Sequence, residues 1–179
     1  MSYTVSEQYN IQEAIKYLVL SIHQTGKNPK PVILHSIRMG MHLYNLDYPK
    51  DVVIGGFLHD LLEDTDVSLV ELKQKFGDKV ARLVQACSFD VSIKDKTEQY
   101  KDLYARCLKE GKQALIIKIA DYIDNLPYML DAKYSGDLRD FLYEKTRYFI
   151  ELVRPIMGGE RVFQELYRLF NKYTKSSAV

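Results

Sequence analysis

Two segments of this chain are apolar on nearly every side of a helical wheel and yet carry ionisable groups. Residues 52–62 read VVIGGFLHDLL, and residues 115–126 read LIIKIADYIDNL. A helix with no solvated face belongs in the middle of a packed bundle. These two stretches therefore call for a centre with amphipathic helices around it. The rest of the sequence supplies them. Ile11, Ile15, Leu18 and Ile22 make one stripe, and Val80, Leu83, Val84 and Cys87 another. Leu138, Phe141, Leu142, Phe149, Leu152 and Val153 make a third, and Val162, Phe163, Leu166, Leu169, Phe170 and Tyr173 a fourth. Strict two-residue alternation is missing over any useful length, so no sheet is expected. The pattern predicts an all-α, single-domain helical bundle of about eight to ten helices.

Local punctuation agrees with the stripes. Ser68 and Glu71 form a capping box opening a helix that Gly77 closes. Thr97 is expected to cap a helix running to about Glu110, with Gly111 as its stop, and residues 88–96 read as a loop. Pro49, Pro127 and Pro155 are expected to break or kink helices. One domain is expected over 1–179, with a last helix near 158–174 packing on the remainder.

Composition excludes several function classes. Lys and Arg number 25 against 24 Asp and Glu, a net charge of +1. That balance gives no global field for gathering nucleic acid or anionic membrane. Cys87 and Cys107 stand outside any CxxC pattern, which excludes a disulfide framework or a Cys-built zinc site as the organising feature. No N-terminal basic stretch precedes an apolar run, and the apolar segments are too interrupted to span a bilayer. A cytoplasmic protein acting on a small molecule is expected; an oligomer is possible and not readable.

The conflict between pattern and chemistry in the two apolar segments is where function should be sought. His59 and Asp60 are adjacent in the first, with Glu63 and Asp64 one helical turn further on. His35 opens the preceding helical stretch, and Asp121 lies in the second apolar segment. If the segments pack together, His35, His59, Asp60 and Asp121 can converge as two imidazoles and two carboxylates. That set suits Mn²⁺, Fe²⁺, Co²⁺ or Zn²⁺. Water on such an ion can have its pKa lowered toward about 7, and Glu63 and Asp64 would sit beside it as acid/base groups. An HD dipeptide alone is close to chance; its place in an otherwise apolar helix, with a His upstream and an Asp downstream, is what carries weight.

These motifs resemble a known family. HSIRMG around His35, HDLLEDTDVSLVELKQKFGDKVARLV at 59–84 and KIADYIDN at 118–125 are similar to the HD-domain phosphohydrolases. More narrowly, they resemble the hydrolase domain of the RelA/SpoT-type enzymes and the stand-alone small alarmone hydrolases, over roughly residues 5–155. The resemblance implies His35, His59, Asp60 and Asp121 as metal ligands, with Mn²⁺ the usual ion. It implies Glu63 and Asp64 as the acidic catalytic pair and Asn125 as a nucleotide contact. The implied reaction removes the 3′-pyrophosphate of ppGpp or pppGpp, the stringent-response alarmones, giving pyrophosphate and GDP or GTP.

The sequence also departs from that family. Its members usually carry an Arg-Lys pair and a Gly-Glu-Pro-Tyr-type segment before the first metal His. Here the stretch is HQTGKNPKPVIL, somewhat shorter, with Lys27 and Lys30 left to face a base or phosphate. Arg38, one turn after His35, is a further candidate for a phosphate. Tyr122 and Asp124 stand where the family has an Arg and a His. A lost cation and a gained carboxylate weaken the fit to a highly anionic guanosine substrate. Two alternatives follow: an HD phosphohydrolase of another nucleotide or phosphomonoester, and a non-catalytic nucleotide-sensing or antitoxin-like module.

Overall fold

The computed structural model describes residues 3–28, 31–129 and 136–176. Among them are ten α-helices and no strand: α1 (Val5–Thr25), α2 (Val32–Asn45), α3 (Lys50–Leu58), α4 (Leu61–Asp64), α5 (Leu69–Phe76), α6 (Asp78–Cys87), α7 (Lys96–Glu110), α8 (Lys112–Met129), α9 (Gly136–Met157) and α10 (Arg161–Ser176). They fall into two compact units, 1–117 and 118–179, the division lying within α8.

In the first unit α3 is the central helix. Every residue from Val52 to Leu58 is buried, as its all-apolar sequence requires. It packs against α1, α2 and α6. The approach of α2 to α3 is close because glycines face side chains across it. A Cβ on Gly40 would stand 2.4 Å from Phe57 Cδ1, and one on Gly56 would stand 2.7 Å from Leu43 Cδ1. The glycines of VVIGGFL are thus there to admit neighbours. The chain before α1 is tied down by Tyr3, whose hydroxyl donates to the Tyr48 carbonyl and whose ring stacks on Tyr44 at 4.6 Å.

The first apolar segment is not one continuous helix. α3 ends at Leu58, His59 and Asp60 form a turn, and α4 is a single turn of its own. Side-chain donors meet the backbone carbonyls at this turn. In an unbroken helix the Gly56 carbonyl would accept the Asp60 N–H. Here His59 Nδ1 lies 3.0 Å from it. The His59 carbonyl accepts the Ser88 hydroxyl at 3.2 Å, while Glu63 N–H and Asp64 N–H both donate to the Asp60 carbonyl.

The capping box at Ser68 and Glu71 is present, and Gly77, at φ 89°, closes α5. Gly111 stops α7 at φ 100°. The cap of α7 is Asp95, not Thr97: its side chain accepts the Glu98 N–H, and Thr97 lies inside the helix. A carboxylate at that position is at least as good a cap as a hydroxyl, and it meets the positive end of the helix dipole.

In the second unit α9 packs on α10. Tyr122 stacks on Phe149 at 4.7 Å, and Tyr143 on Phe170 at 5.2 Å. Val162, Phe163, Leu166 and Phe170 are buried as the stripe requires. Leu138 is not; it is 42% exposed, near the start of α9. Pro127 and Pro155 do not end their helices but sit inside the last turns of α8 and α9, where the missing N–H costs only one hydrogen bond.

Two outcomes follow from this packing. Gly40→Val is expected to lower unfolding free energy by about 2–3 kcal/mol through overpacking against Phe57. Gly159→Ala, with nothing within 4 Å of the added methyl, should change it by less than about 0.5 kcal/mol. Urea titration monitored by circular dichroism checks both. Burial, aided by the nearby charge of Asp47, raises the Tyr3 phenol from 10.0 to about 12. The unfolded chain then releases this proton first, so the contribution is intact below pH 10 and is lost as pH rises toward about 12. Tyr3→Phe should flatten that part of the alkaline stability profile.

Candidate metal centre

The break after α3 turns His59 and Asp60 toward one point, and α2 brings His35 to it. His59 is 1% exposed. A carbonyl can only accept, so the contact with Gly56 puts a proton on His59 Nδ1 and leaves Nε2 as the metal-type ligand atom. That Nε2 lies 3.3 Å from His35 Nε2 and 2.9 Å from Asp60 Oδ1. Asp60 Oδ2 is 3.7 Å from His35 Nε2, and the two imidazole rings meet edge to face at 5.2 Å. Two ring nitrogens and a carboxylate facing each other require a positive centre among them. A single proton serves one or two of these lone pairs; a divalent ion serves all of them at once. The donor set of nitrogen and carboxylate oxygen fits a borderline-to-hard ion.

The acidic pair has partners that helical spacing does not show. Glu63 Oε1 accepts the Phe89 N–H at 2.7 Å, at the far end of α6. The Asp64 carboxylate instead accepts from Asn28 Nδ2, at 3.1 and 3.2 Å, beyond the end of α1. The two acids are held by different segments, one just after α6 and one just after α1. Lys27 Nζ pairs with Asp66 at 2.6 Å and donates to the Thr65 carbonyl. Lys30 lies outside the described residues. Arg38 is half-buried on α2.

Asp121 belongs to the second unit, where it is 8% exposed. Its own helix holds both carboxylate oxygens: Lys118 Nζ is 2.7 Å from Oδ2, and Asn125 Nδ2 donates to Oδ1 at 2.5 Å. Lys118 is therefore a buried ion-pair partner. Tyr122 is a core residue, stacked on Phe149, with Lys145 Nζ 5.6 Å from its ring centre.

Sequence reasoning did not find Asn28, Ser88 or the Phe89 N–H. An asparagine in a polar loop and a serine after a helix give no periodic signal, and a backbone N–H gives none at all.

The HD-domain family model matches residues 14–144. The chain thus belongs to the HD-domain family. It is 29% identical to a guanosine-3′,5′-bis(diphosphate) 3′-pyrophosphohydrolase, MESH1, of Danio rerio, over 83% of this chain and 84% of that protein. A guanosine-3′,5′-bis(diphosphate) 3′-pyrophosphohydrolase of Aquifex aeolicus is 33% identical over 58% of this chain. A probable enzyme of the same name from Synechocystis is 28% identical over 86%. The chain spans only 15% and 21% of the length of these last two relatives. The solved structure titled a metazoan ortholog of SpoT that hydrolyzes ppGpp has the same fold, with a TM-score of 0.77, 24% identity and coverage of 96% of this chain and 98% of that one. Membership of the HD-domain family implies a divalent metal, in keeping with the ligand atoms around His59. No described helix is long and apolar enough to cross a membrane.

A thermal-shift titration with MnCl₂ of chelator-stripped protein tests the site directly. At free ion of 100 times Kd, native-state binding adds about 2.7 kcal/mol, seen as a higher Tm. His59→Ala should abolish the rise.

Proposed function

We propose that this chain is a metal-dependent nucleotide 3′-pyrophosphohydrolase that converts (p)ppGpp to GDP or GTP and pyrophosphate. The observation that carries the reading is the convergence of His35, His59 and Asp60 on one point. The activity for which a relative matched over most of both chains is named supports the substrate class. In this reading residues 1–179 act as one HD-type domain. His35, His59, Asp60 and Asp121 hold the ion, with Mn²⁺ the favoured one. The protein works in the cytoplasm on a small-molecule nucleotide, without nucleic acid or membrane.

The ion, when bound, supplies the positive charge that makes a water acidic and offsets phosphate charge. The residues do the rest. The Gly56 carbonyl fixes the His59 tautomer and ring angle, as outer-shell partners of metal-binding histidines do. Lys118 and Asn125 fix the Asp121 carboxylate. Glu63 and Asp64 are the acid/base groups: one takes the proton of the attacking water, whose oxygen bonds to the phosphorus next to the 3′-oxygen. The bond from that phosphorus to the 3′-oxygen breaks, the 3′-oxygen gains a proton, and pyrophosphate leaves. Asn125, Lys27 and Arg38 are the substrate contacts of this reading, with the cation of Lys27 already shared with Asp66.

One observation favours a second reading, an HD phosphohydrolase of another phosphoester. Tyr122, at the position where the family carries an Arg, is 1% exposed and packed on Phe149, so the side chain there is a buried aromatic ring in place of a guanidinium.

The deciding experiment incubates chelator-stripped protein with ppGpp, with and without Mn²⁺, and resolves products by ion exchange. Metal-dependent GDP plus pyrophosphate is the expected outcome. Asp60→Ala should lower kcat/KM by more than about 100-fold, beyond the loss that outer-shell partners cause. Untouched ppGpp, with inorganic phosphate released from another nucleotide, would move the assignment to the second reading.

A further inference from the structure

Asp64 stands at the end of a helix too short to fix its own side chains. α4 is a single turn, and Thr65 after it is already extended, at φ −138° and ψ −175°. An isolated turn has little intrinsic stability, so something outside it must set the direction of that carboxylate. The chain segment leaving α1 does so. Asn28 Nδ2 stands 3.2 Å from Asp64 Oδ1 and 3.1 Å from Oδ2, bridging both oxygens. A carboxylate only accepts, so the amide nitrogen is the donor and the bond is charge-assisted.

The same segment is tied to the same turn by backbone. Lys27 N–H donates to the Asp64 carbonyl at 2.8 Å, and Asp66 N–H donates to Thr25 Oγ1 at 3.1 Å. Lys27 Nζ adds its contacts to the Thr65 carbonyl and Asp66. Thr65 itself is buried, and its hydroxyl donates to the Leu61 carbonyl at 2.6 Å. Residues 25–28 and 64–66 therefore form one mutual clamp whose far side is anchored in the core. One side of it, residues 25–28, lies in the stretch where this chain departs from the family it resembles, and the other, 64–66, in the motif it shares.

We propose that Asn28 is a positioning residue that orients the Asp64 carboxylate, with the 25–28 segment as its mount. The proposal rests on the reading of Asp64 as an acid/base group. It also gives the acidic pair a division of support: Glu63 is aimed by the Phe89 N–H from α6, and Asp64 by Asn28 from α1, so each can be misaligned without the other.

Steady-state kinetics on ppGpp with Mn²⁺ and amide exchange on the metal-free protein test it together. Asn28→Ala is expected to lower kcat by about 10- to 100-fold, as misplacing a reacting group does, with KM changed by less than about threefold. Asn28→Asp, which sets carboxylate against carboxylate, should lose at least as much. Asn28→Gln, which keeps the donor, should recover part of the loss. In an Asp64→Asn background Asn28→Ala should cost less than about twofold more, because its object is gone. Full kcat in Asn28→Ala, or an equal loss in both backgrounds, would overturn the proposal. Amide exchange reads the clamp without turnover: the Lys27 N–H should be protected in the native protein and lose about tenfold of that protection in Asn28→Ala. Unchanged protection would overturn the proposal as well. A wild-type protein that leaves ppGpp untouched would instead refute the assigned reaction, and exchange alone would then decide the clamp.

Discussion

The contact between His59 Nδ1 and the Gly56 carbonyl is the interaction on which the site depends. It falls on the carbonyl that a continuing helix would also use, at the point where α3 stops and its most polar residues begin. The same contact assigns the proton to Nδ1 and leaves Nε2 facing His35 and Asp60. One hydrogen bond thus sets the tautomer of a buried imidazole and the nitrogen that faces a carboxylate. Ser88 reinforces it by taking the next carbonyl, that of His59.

Close packing brings His35 within reach. Gly40 and Gly56 bear no side chain where Phe57 and Leu43 press against them, so α2 and α3 approach closely. Interiors packed to crystal-like density transmit such spacing directly to whatever projects from the helices. Functional groups on two buried, tightly packed helices are held more firmly than they would be on loops. The acidic pair is the exception, because it sits beyond the break on a single turn. There the support comes from hydrogen bonds out of α6 and the end of α1 instead of packing.

Much of this was legible in the sequence. The amphipathic stripes, the capping box at Ser68, and the stops at Gly77 and Gly111 all follow from spacing and backbone conformation, which are local properties. The candidate residues were found by the same means, as ionisable groups inside stretches that should have none. What local pattern could not supply was the direction of each side chain. Periodicity read 52–62 as one helix and placed Glu63 and Asp64 on a common face with His59 and Asp60. A histidine ring bonded to a carbonyl three residues back leaves no trace in hydropathy, and neither do the partners of the two acids. Lys27 and Lys118 likewise gave only a charge; their partners, Asp66 and Asp121, are facts of folding.

Helices, and titratable groups buried in the most apolar of them, follow from the residues alone, because burial periodicity and composition are written residue by residue. Tertiary structure decided which of those groups meet. His35 and His59 stand twenty-four positions apart in the chain yet 3.3 Å apart in space. Asn28 reaches Asp64 across a segment of thirty-six. Contacts at such separations depend on how helices pack and where they break, and both involve side-chain bonds and side-chain volumes that only the folded chain brings together.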